Sequence, residues 1–209
     1  MVNFLGKIMK EEVEFRSLVP YVKENLIKHH ELYSAQCKAE YWEENCSNAL
    51  KKSGFGSDWK PDFKHTHGVD QTTNEGIRIG NKSGAINEDN SLIEISGHRL
   101  TKHKTIDDKL KFLKEKYEDY IFCLAVNKKS WKQGSKKYYF VIIDSHKIDY
   151  FNQAWVEKIG AKGVKKNQVS GWECHAEEFS ASITKSMSDQ LWTKIKKPLF
   201  KEFYEIIIR

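Results

Sequence analysis

Three positions of a predicted β-hairpin have residue types and spacing suited to metal-assisted cleavage of a phosphodiester bond. Asp70 lies at the mouth of one strand, and Lys82 lies near the end of the next. A turn centred on Glu75 would place Asp70 opposite Gly80, and Lys82 would share the face of Gly80 because side chains alternate along a strand. A carboxylate can hold Mg²⁺, and a lysine can offset phosphate charge. The hairpin lacks a second acid, since Gly80 occupies its place.

Glu94 in the following strand is the first candidate for this second acid. If the turn after Lys82 centres near Asn87, Glu94 would lie opposite Gly80 and could reach into the space that the glycine leaves. Glu94 also stands between two isoleucines, so it would face solvent or a cleft if these are core residues. We predict a catalytic site of Asp70, Lys82 and Glu94, with Asp70 and Glu94 on Mg²⁺ and with Glu43 or Glu44 of the preceding helix as alternatives to Glu94.

Basic and polar residues beyond this strand suit contacts with a nucleic acid. Residues 98–104 include five His, Lys or Arg side chains and lead into the beginning of a helix, where anions are favoured. We predict that Arg99 and Lys102 bind phosphates. In the polar stretch Ser180–Trp192, Lys185 and Gln190 are predicted to contact DNA. Solvated loops and helix caps are the alternatives for both segments.

The elements that must position these residues alternate between helical and strand patterns. Helical spacing extends over about residues 21–50, with a break near Ser34, and residues 51–62 indicate a loop. We predict strands at 67–73, 77–82, 91–96, 120–126 and 138–144, a helix at 105–117, and loops with short helices after residue 144. This order predicts an α/β or α+β fold with a central mixed sheet flanked by helices.

From Tyr41 to Asp144 the chain resembles the PD-(D/E)xK nuclease superfamily, and type II restriction endonucleases in particular. The resemblance rests on AEYWEEN in the helix, then GVD, IGNKSG and LIEISGHR, followed by the lysine-rich helix and two apolar strands. The chain departs from the family at Gly80, which replaces the acid of the acid-x-lysine motif. The resemblance implies a restriction-endonuclease-like core, Mg²⁺ as cofactor, double-stranded DNA as substrate and a homodimer.

The resemblance implies a type II site-specific deoxyribonuclease that hydrolyses phosphodiester bonds. A repair or methylation-dependent nuclease on the same core, and a catalytically inactive nucleic-acid-binding module, remain as alternatives. We expect a single domain over residues 1–209, with a helical part at 1–60, a catalytic sheet at 61–144, and DNA-recognition and dimer extensions at 145–209. The net charge of +6 is compatible with a polyanion partner. Without a membrane span or secretory leader in the pattern, we expect a cytoplasmic protein with no membrane partner.

Overall fold

Four helices flank a large mixed β-sheet in the part of the chain that the computed structural model describes, residues 13–60, 69–115, 118–160 and 167–208. Pro20 lies in the first turn of the first helix, where its missing N–H is not needed. Asn127 caps the fourth helix by accepting hydrogen bonds from two backbone N–H groups. The helices are α1 (Val19–Leu32), α2 (Ala39–Lys52), α3 (Ile106–Glu115) and α4 (Lys128–Lys132).

The sheet has ten strands in the described residues, and nine of them form one path in the order β10-β5-β4-β2-β3-β9-β8-β7-β6. The remaining strand, β1, pairs with β2. The strands are β1 (Gln71–Thr72), β2 (Arg78–Ile86), β3 (Leu92–Arg99), β4 (Tyr120–Val126), β5 (Lys137–Asp144), β6 (Val156–Ile159), β7 (Val169–His175), β8 (Phe179–Thr184), β9 (Gln190–Lys196) and β10 (Phe200–Ile207).

Strand β2 is at the centre of the arrangement because it pairs with β1, β3 and β4. It pairs in parallel with β4 in an unbroken register from Ile79 opposite Tyr120 to Ala85 opposite Val126. Strand β3 is antiparallel to β2 and returns the chain to the end where β2 begins, and the connection through α3 then leads past β2 to β4 on its other side. The beginnings of β2 and β4 therefore meet at the same end of the sheet.

Both faces of the central strands are buried, and each face has its own apolar core. Helices α1 and α2 cover one face, where Trp42 and Phe122 are fully buried. Helix α3 covers the other face with Leu113, which packs in a cluster with Ile121 and Ile95. This double coverage explains why β4 and β5 are continuous apolar runs instead of alternating ones.

Most predictions for residues 13–144 are confirmed, including the break between α1 and α2 near Ser34, the helix within 105–117 and the strands at 120–126 and 138–144. The mixed sheet with flanking helices is confirmed at this coarse level. Residues 67 and 68 of the first predicted strand lie outside the described residues. Strand β2 continues to Ile86, beyond its predicted end at Lys82, and the next turn is correspondingly shorter.

The prediction of loops and short helices after residue 144 is wrong, because the described residues of this part form five strands, β6 to β10. In β8, Phe179, Ala181 and Ile183 are buried while the intervening side chains are partly exposed. This alternation with a period of two is the pattern of a strand with one covered face. Strands β6 to β9 extend the sheet beyond β3, whereas β10 pairs with β5 at the other edge.

Within the described residues, no helix is both long and apolar enough to cross a membrane.

Candidate functional site

The hairpin of β1 and β2 brings Asp70 and Lys82 together. Its register pairs Gln71 with Ile79 and Thr72 with Arg78, so Asp70 falls opposite Gly80, as predicted. One carboxylate oxygen of Asp70, Oδ2, accepts a hydrogen bond from the backbone N–H of Asn81 at 2.5 Å and another from Lys82 Nζ at 3.1 Å. Both side chains of this ion pair are only about one sixth exposed. The position of Asp70 is therefore fixed by β2.

Side-chain hydrogen bonds link β1, which follows Asp70, to helix α2. The buried side chain of Gln71 donates to Cys46 Sγ at 3.1 Å and accepts from Ser57 Oγ at 2.8 Å. Ser57 in turn accepts from Ser47 of α2 at 3.0 Å. Because Gln71, Cys46 and Ser47 are buried and these polar groups satisfy one another, they determine where β1, and with it Asp70, can lie.

The carboxyl group of Glu118 occupies the space that a side chain at Gly80 would need. An ideal Cβ on Gly80 would lie 2.7 Å from Glu118 Oε1 and 2.9 Å from Glu118 Cδ. Glu118 precedes β4, and the parallel register of β4 with β2 brings it beside Gly80. The place where the hairpin lacks an acid is thus occupied by the carboxyl group of Glu118, which lies 38 positions after Gly80 in the chain.

A set of short-range contacts holds the Glu118 backbone in this position. The Glu118 carbonyl accepts a hydrogen bond from Ser145 Oγ, and the next residue, Asp119, accepts from the backbone N–H of Arg78 at 2.8 Å. The Arg78 guanidinium pairs with the same carboxylate at 2.9 Å. Burial opposes ionisation of Asp119, but Arg78 outweighs it and lowers the Asp119 pKa. Asp119 therefore ties the segment before β4 to the beginning of β2.

Burial and neighbouring charges shift the ionisation of the site residues in opposite directions. Burial raises the pKa of the Glu118 carboxyl, although Lys82 opposes this shift. For Lys82, burial disfavours the charged form, but Asp70, Glu118 and Glu43 outweigh burial and raise the lysine pKa. Lys82 is therefore a cation at neutral pH, while Glu118 holds its proton to a higher pH than an exposed glutamate does.

Glu43 of α2 is a third carboxyl group close to this pair. It is partly buried, and burial, together with the charge of Asp70, raises its pKa, whereas Lys82 and a hydrogen bond from Trp59 lower it. Its neighbour Glu44 is exposed. Of the two helix acids proposed as alternatives, Glu43 is the one that interacts electrostatically with the Asp70–Lys82 pair.

His98 is a residue of this cluster that the sequence did not indicate. Its Nε2 lies 3.8 Å from Glu118 Oε1, and its side chain is 12% exposed. The register of β3 against β9 shifts by one residue between Ser96 and Arg99, which is a β-bulge. Bulges redirect side chains relative to the regular alternation. His98 lines a small cavity of about 30 Å³ together with Lys82 and Glu118.

The register predicted for Glu94 is wrong. Glu94 pairs with Ala85 instead of Gly80, because the turn between β2 and β3 is centred beyond Asn87. Ala85 is an odd number of residues from Lys82, so Glu94 points to the opposite face of the sheet. There it lines a groove of about 480 Å³ with Trp192 and other residues of β7 to β9. Glu94 is therefore not beside Asp70.

The four residues predicted to bind DNA lie at one end of β3, β8 and β9. Arg99 pairs with Gln190 across β3 and β9, and Gln190 Nε2 donates weakly to the Gly97 carbonyl at 3.5 Å. Lys102 is exposed and lines a cleft of about 460 Å³ with Lys104. Lys185 follows β8, and its Nζ lies 4.9 Å from the centre of the Trp172 ring. Because β3 is antiparallel to β2, this is also the end of the sheet that holds Asp70 and Lys82.

In the described ranges, no group of three or more His, Cys, Asp or Glu side chains converges closely enough to hold a metal ion by itself. The residues that could contribute to an ion are Asp70 and Glu118, with Glu43 nearby. Mg²⁺ retains several water molecules and needs only one or two protein carboxylates together with phosphate oxygens. The carboxylates of Asp70 and Glu118 are therefore suitable ligands for Mg²⁺.

No family model matches the chain, and comparison with curated proteins and with solved structures finds no similar protein.

Proposed function

We propose that this protein is a metal-dependent nuclease whose site is built from Asp70, Glu118 and Lys82. The observation that carries the proposal is the carboxyl group of Glu118 in the side-chain space of Gly80, next to the Asp70–Lys82 ion pair. An aspartate, a second acid and a lysine would then be assembled as in the PD-(D/E)xK nucleases, with the second acid supplied by a residue two positions before β4 instead of by β2. More specifically, we propose a type II restriction endonuclease that acts on double-stranded DNA.

The mixed sheet supports this proposal, since its first hairpin and its two apolar strands come in the order that the restriction-endonuclease-like core requires. The basic residues Arg99 and Lys102 support it as well, because they lie at the same end of the sheet as the carboxylates. Cations at this place would bind the phosphates on either side of the cut. The net charge of +6 favours the approach of a polyanion.

Each residue of the site has a task in such a reaction. Asp70 and Glu118 would hold Mg²⁺, which when bound supplies Lewis acidity and lowers the pKa of water. Lys82, a cation held by Asp70, would offset charge that develops on the phosphate and orient the attacking water. Glu43 would accept a proton from that water, since its raised pKa brings it closer to neutral. Asp119 and Arg78 would keep Glu118 in place.

Replacement of Asp70 by asparagine tests the proposal directly. We expect Mg²⁺-dependent cleavage of plasmid DNA to be lost, whereas DNA binding measured without metal is kept or becomes tighter, because a negative charge near phosphate is removed. Asp89→Asn is the matched control, since it makes the same change in the exposed turn between β2 and β3. Cleavage by Asp70→Asn at the wild-type rate would refute the site.

The products of the wild-type protein separate the alternatives. Discrete bands from plasmid DNA would support a site-specific restriction enzyme, and a smear would indicate a repair-type or non-specific nuclease. Cleavage only of methylated plasmid would indicate a methylation-dependent enzyme. Binding without cleavage, with and without chelator, would favour an inactive binding module. If the protein is a restriction enzyme, sedimentation should show a homodimer, because one active site cuts one strand.

A further inference from the structure

Lys109 of α3 is fully buried, and it lies outside the carboxylate site. A lysine is rarely buried unless its charge is paired and hydrogen bonded. Here the ammonium group has three donors and three oxygen acceptors: the carbonyls of Leu100 and His103, and Oδ2 of Asp189. Its Nζ also lies 5.5 Å from the centre of the Trp172 ring. All of its hydrogen-bonding capacity is therefore used inside the protein.

These acceptors belong to two segments that are far apart in the chain. Leu100 and His103 lie in the segment between β3 and α3, whereas Asp189 lies in the turn before β9. The Leu100 N–H donates to the Asp189 carbonyl at 3.1 Å, so backbone and side-chain contacts join the same two segments. Asp189 has a left-handed backbone, with φ of 48°, which directs its side chain and carbonyl toward this contact.

The segment that Lys109 holds carries the basic side chains of the proposed DNA surface. Lys102 and Lys104 are exposed on it, and together with Lys111 of α3 they line the cleft of about 460 Å³, which Asp108 and Glu115 of α3 also line. Lys109 thus donates hydrogen bonds to backbone carbonyls of the segment 100–104 from inside the protein, while Lys102 and Lys104 of the same segment face outward. A surface whose cations are held in place before binding loses less conformational entropy when it binds an anion.

We propose that Lys109 is a positioning residue for the binding of a phosphate backbone. It is too deeply buried to contact a ligand, and it acts by holding the segment 100–104 so that Lys102 and Lys104 face the same cleft as Lys111. The inference rests on the proposed function for the identity of the ligand, a nucleic acid duplex. Lys102 and Lys104 would make the salt-dependent contacts with phosphate, and Lys109 would hold them in position without contacting the phosphates itself.

The salt dependence of binding distinguishes this role from a general loss of stability. A short DNA duplex is titrated at several salt concentrations with a chelator present, so that no cleavage occurs. We expect Lys109→Met to lower the slope of log Kd against log salt by about one to two units, as the double change Lys102→Gln with Lys104→Gln does. Adding Lys109→Met to that double variant should lower the slope no further, because both act through the same contacts.

Lys114→Met is the matched control, because it removes the same charge from an exposed position of the same helix. We expect its slope to equal that of the wild type. An unchanged slope in Lys109→Met, or an equal fall in Lys114→Met, would overturn the proposal. So would a further fall when Lys109→Met is added to the double variant.

A second variant covers the case in which Lys109→Met does not fold. Asp189→Asn keeps the carbonyl acceptors of Lys109 and removes only its anionic partner. We expect faster hydrogen exchange at the amides of Leu100 and His103 together with a smaller binding slope. Unchanged exchange and slope would contradict the positioning role. If the wild type bound the duplex but never cleaved it, the nuclease proposal would fail while this comparison of slopes would still stand.

Discussion

Substitution of Gly80 is the sharpest test of how the site is assembled. An added Cβ would lie 2.7, 2.8 and 2.9 Å from three atoms of the Glu118 side chain. Carbon contacts are most favourable at about 3.5–4.0 Å, so the carboxyl group would have to move by somewhat less than about 1 Å. Displacements of about 1 Å at an active site can reduce the rate by about 10²-fold, which corresponds to about 2.7 kcal/mol.

We therefore expect Gly80→Ala to lower the rate of plasmid cleavage by about 10²-fold. The extra methyl group should also cost about 1–3 kcal/mol of stability, because it overpacks a buried place. Gly84→Ala is the matched control. It lies on the same face of β2, and its Cβ would lie 2.9 Å from Cys123 Sγ and 3.0 Å from the Glu94 carbonyl, away from Glu118. Its stability should fall similarly, whereas its cleavage rate should stay close to that of the wild type.

A second test removes the acid at position 118 and introduces one at position 80. Glu118→Ala alone should abolish cleavage, and Gly80→Asp in the same chain should restore part of it. In that double variant the aspartate would enter the space that Glu118 vacates and would create an acid-x-lysine motif with Lys82. Glu94→Ala should leave cleavage unchanged, because Glu94 points to the opposite face of the sheet.

The assay is nicking of supercoiled plasmid at saturating Mg²⁺, with thermal unfolding measured on the same samples. Equal rates for Gly80→Ala and Gly84→Ala would refute the reasoning, since the loss would then come from strain in β2. Wild-type cleavage by Glu118→Ala would remove Glu118 from the site.

Two further predictions concern charge. Neutralising Arg99 and Lys102 together should lower the salt slope of DNA binding by about one to two units, and an unchanged slope would show that these residues are merely solvated. Because burial raises the pKa of Glu118, the folded protein binds this proton more tightly than the unfolded chain does. Stability should therefore fall as pH rises from the ordinary glutamate pKa through the raised folded value, and Glu118→Gln should flatten this fall in the unfolding temperature. An identical pH dependence in the wild type and Glu118→Gln would contradict the raised pKa.

The first hairpin could be predicted from sequence because its turn is short and contains a clear signal. Gly76 has a positive φ of 78°, which glycine adopts without strain, and only a few residues separate the paired strands. The register of Asp70 against Gly80 follows directly. In the next hairpin, the sequence predicts a turn directly after Lys82, but residues 83–86 still belong to β2. The predicted partner of Glu94, Gly80, differs from the observed partner, Ala85, by an odd number of residues, so the prediction placed Glu94 on the wrong face of the sheet.

Glu118 could not be located by motif spacing, because the contact that places it is a parallel pairing between β2 and β4. Such a pairing depends on the path of α3 over the sheet, and the chain contains no turn that fixes its register. One signal was present: Gly80 stands where an acid is expected, and an acidic pair, Glu118 and Asp119, directly precedes an apolar strand. In a fold with parallel central strands, the residue before one strand can meet the beginning of its neighbour.

The missing side chain at Gly80 leaves the space that the Glu118 carboxyl group fills. Glycine in a strand interior costs stability, and it is expected where another group must approach closely. Here the approaching group is a buried carboxyl beside a lysine cation, and Asp119 with Arg78 holds its backbone in place. If residue 80 were itself an acid, its side chain would need the space that the Glu118 carboxyl group occupies, and Glu118 would have to move. In the proposed site, an acid from the segment before β4 would therefore take the place that Gly80 leaves empty, and substitution at either position should change the other.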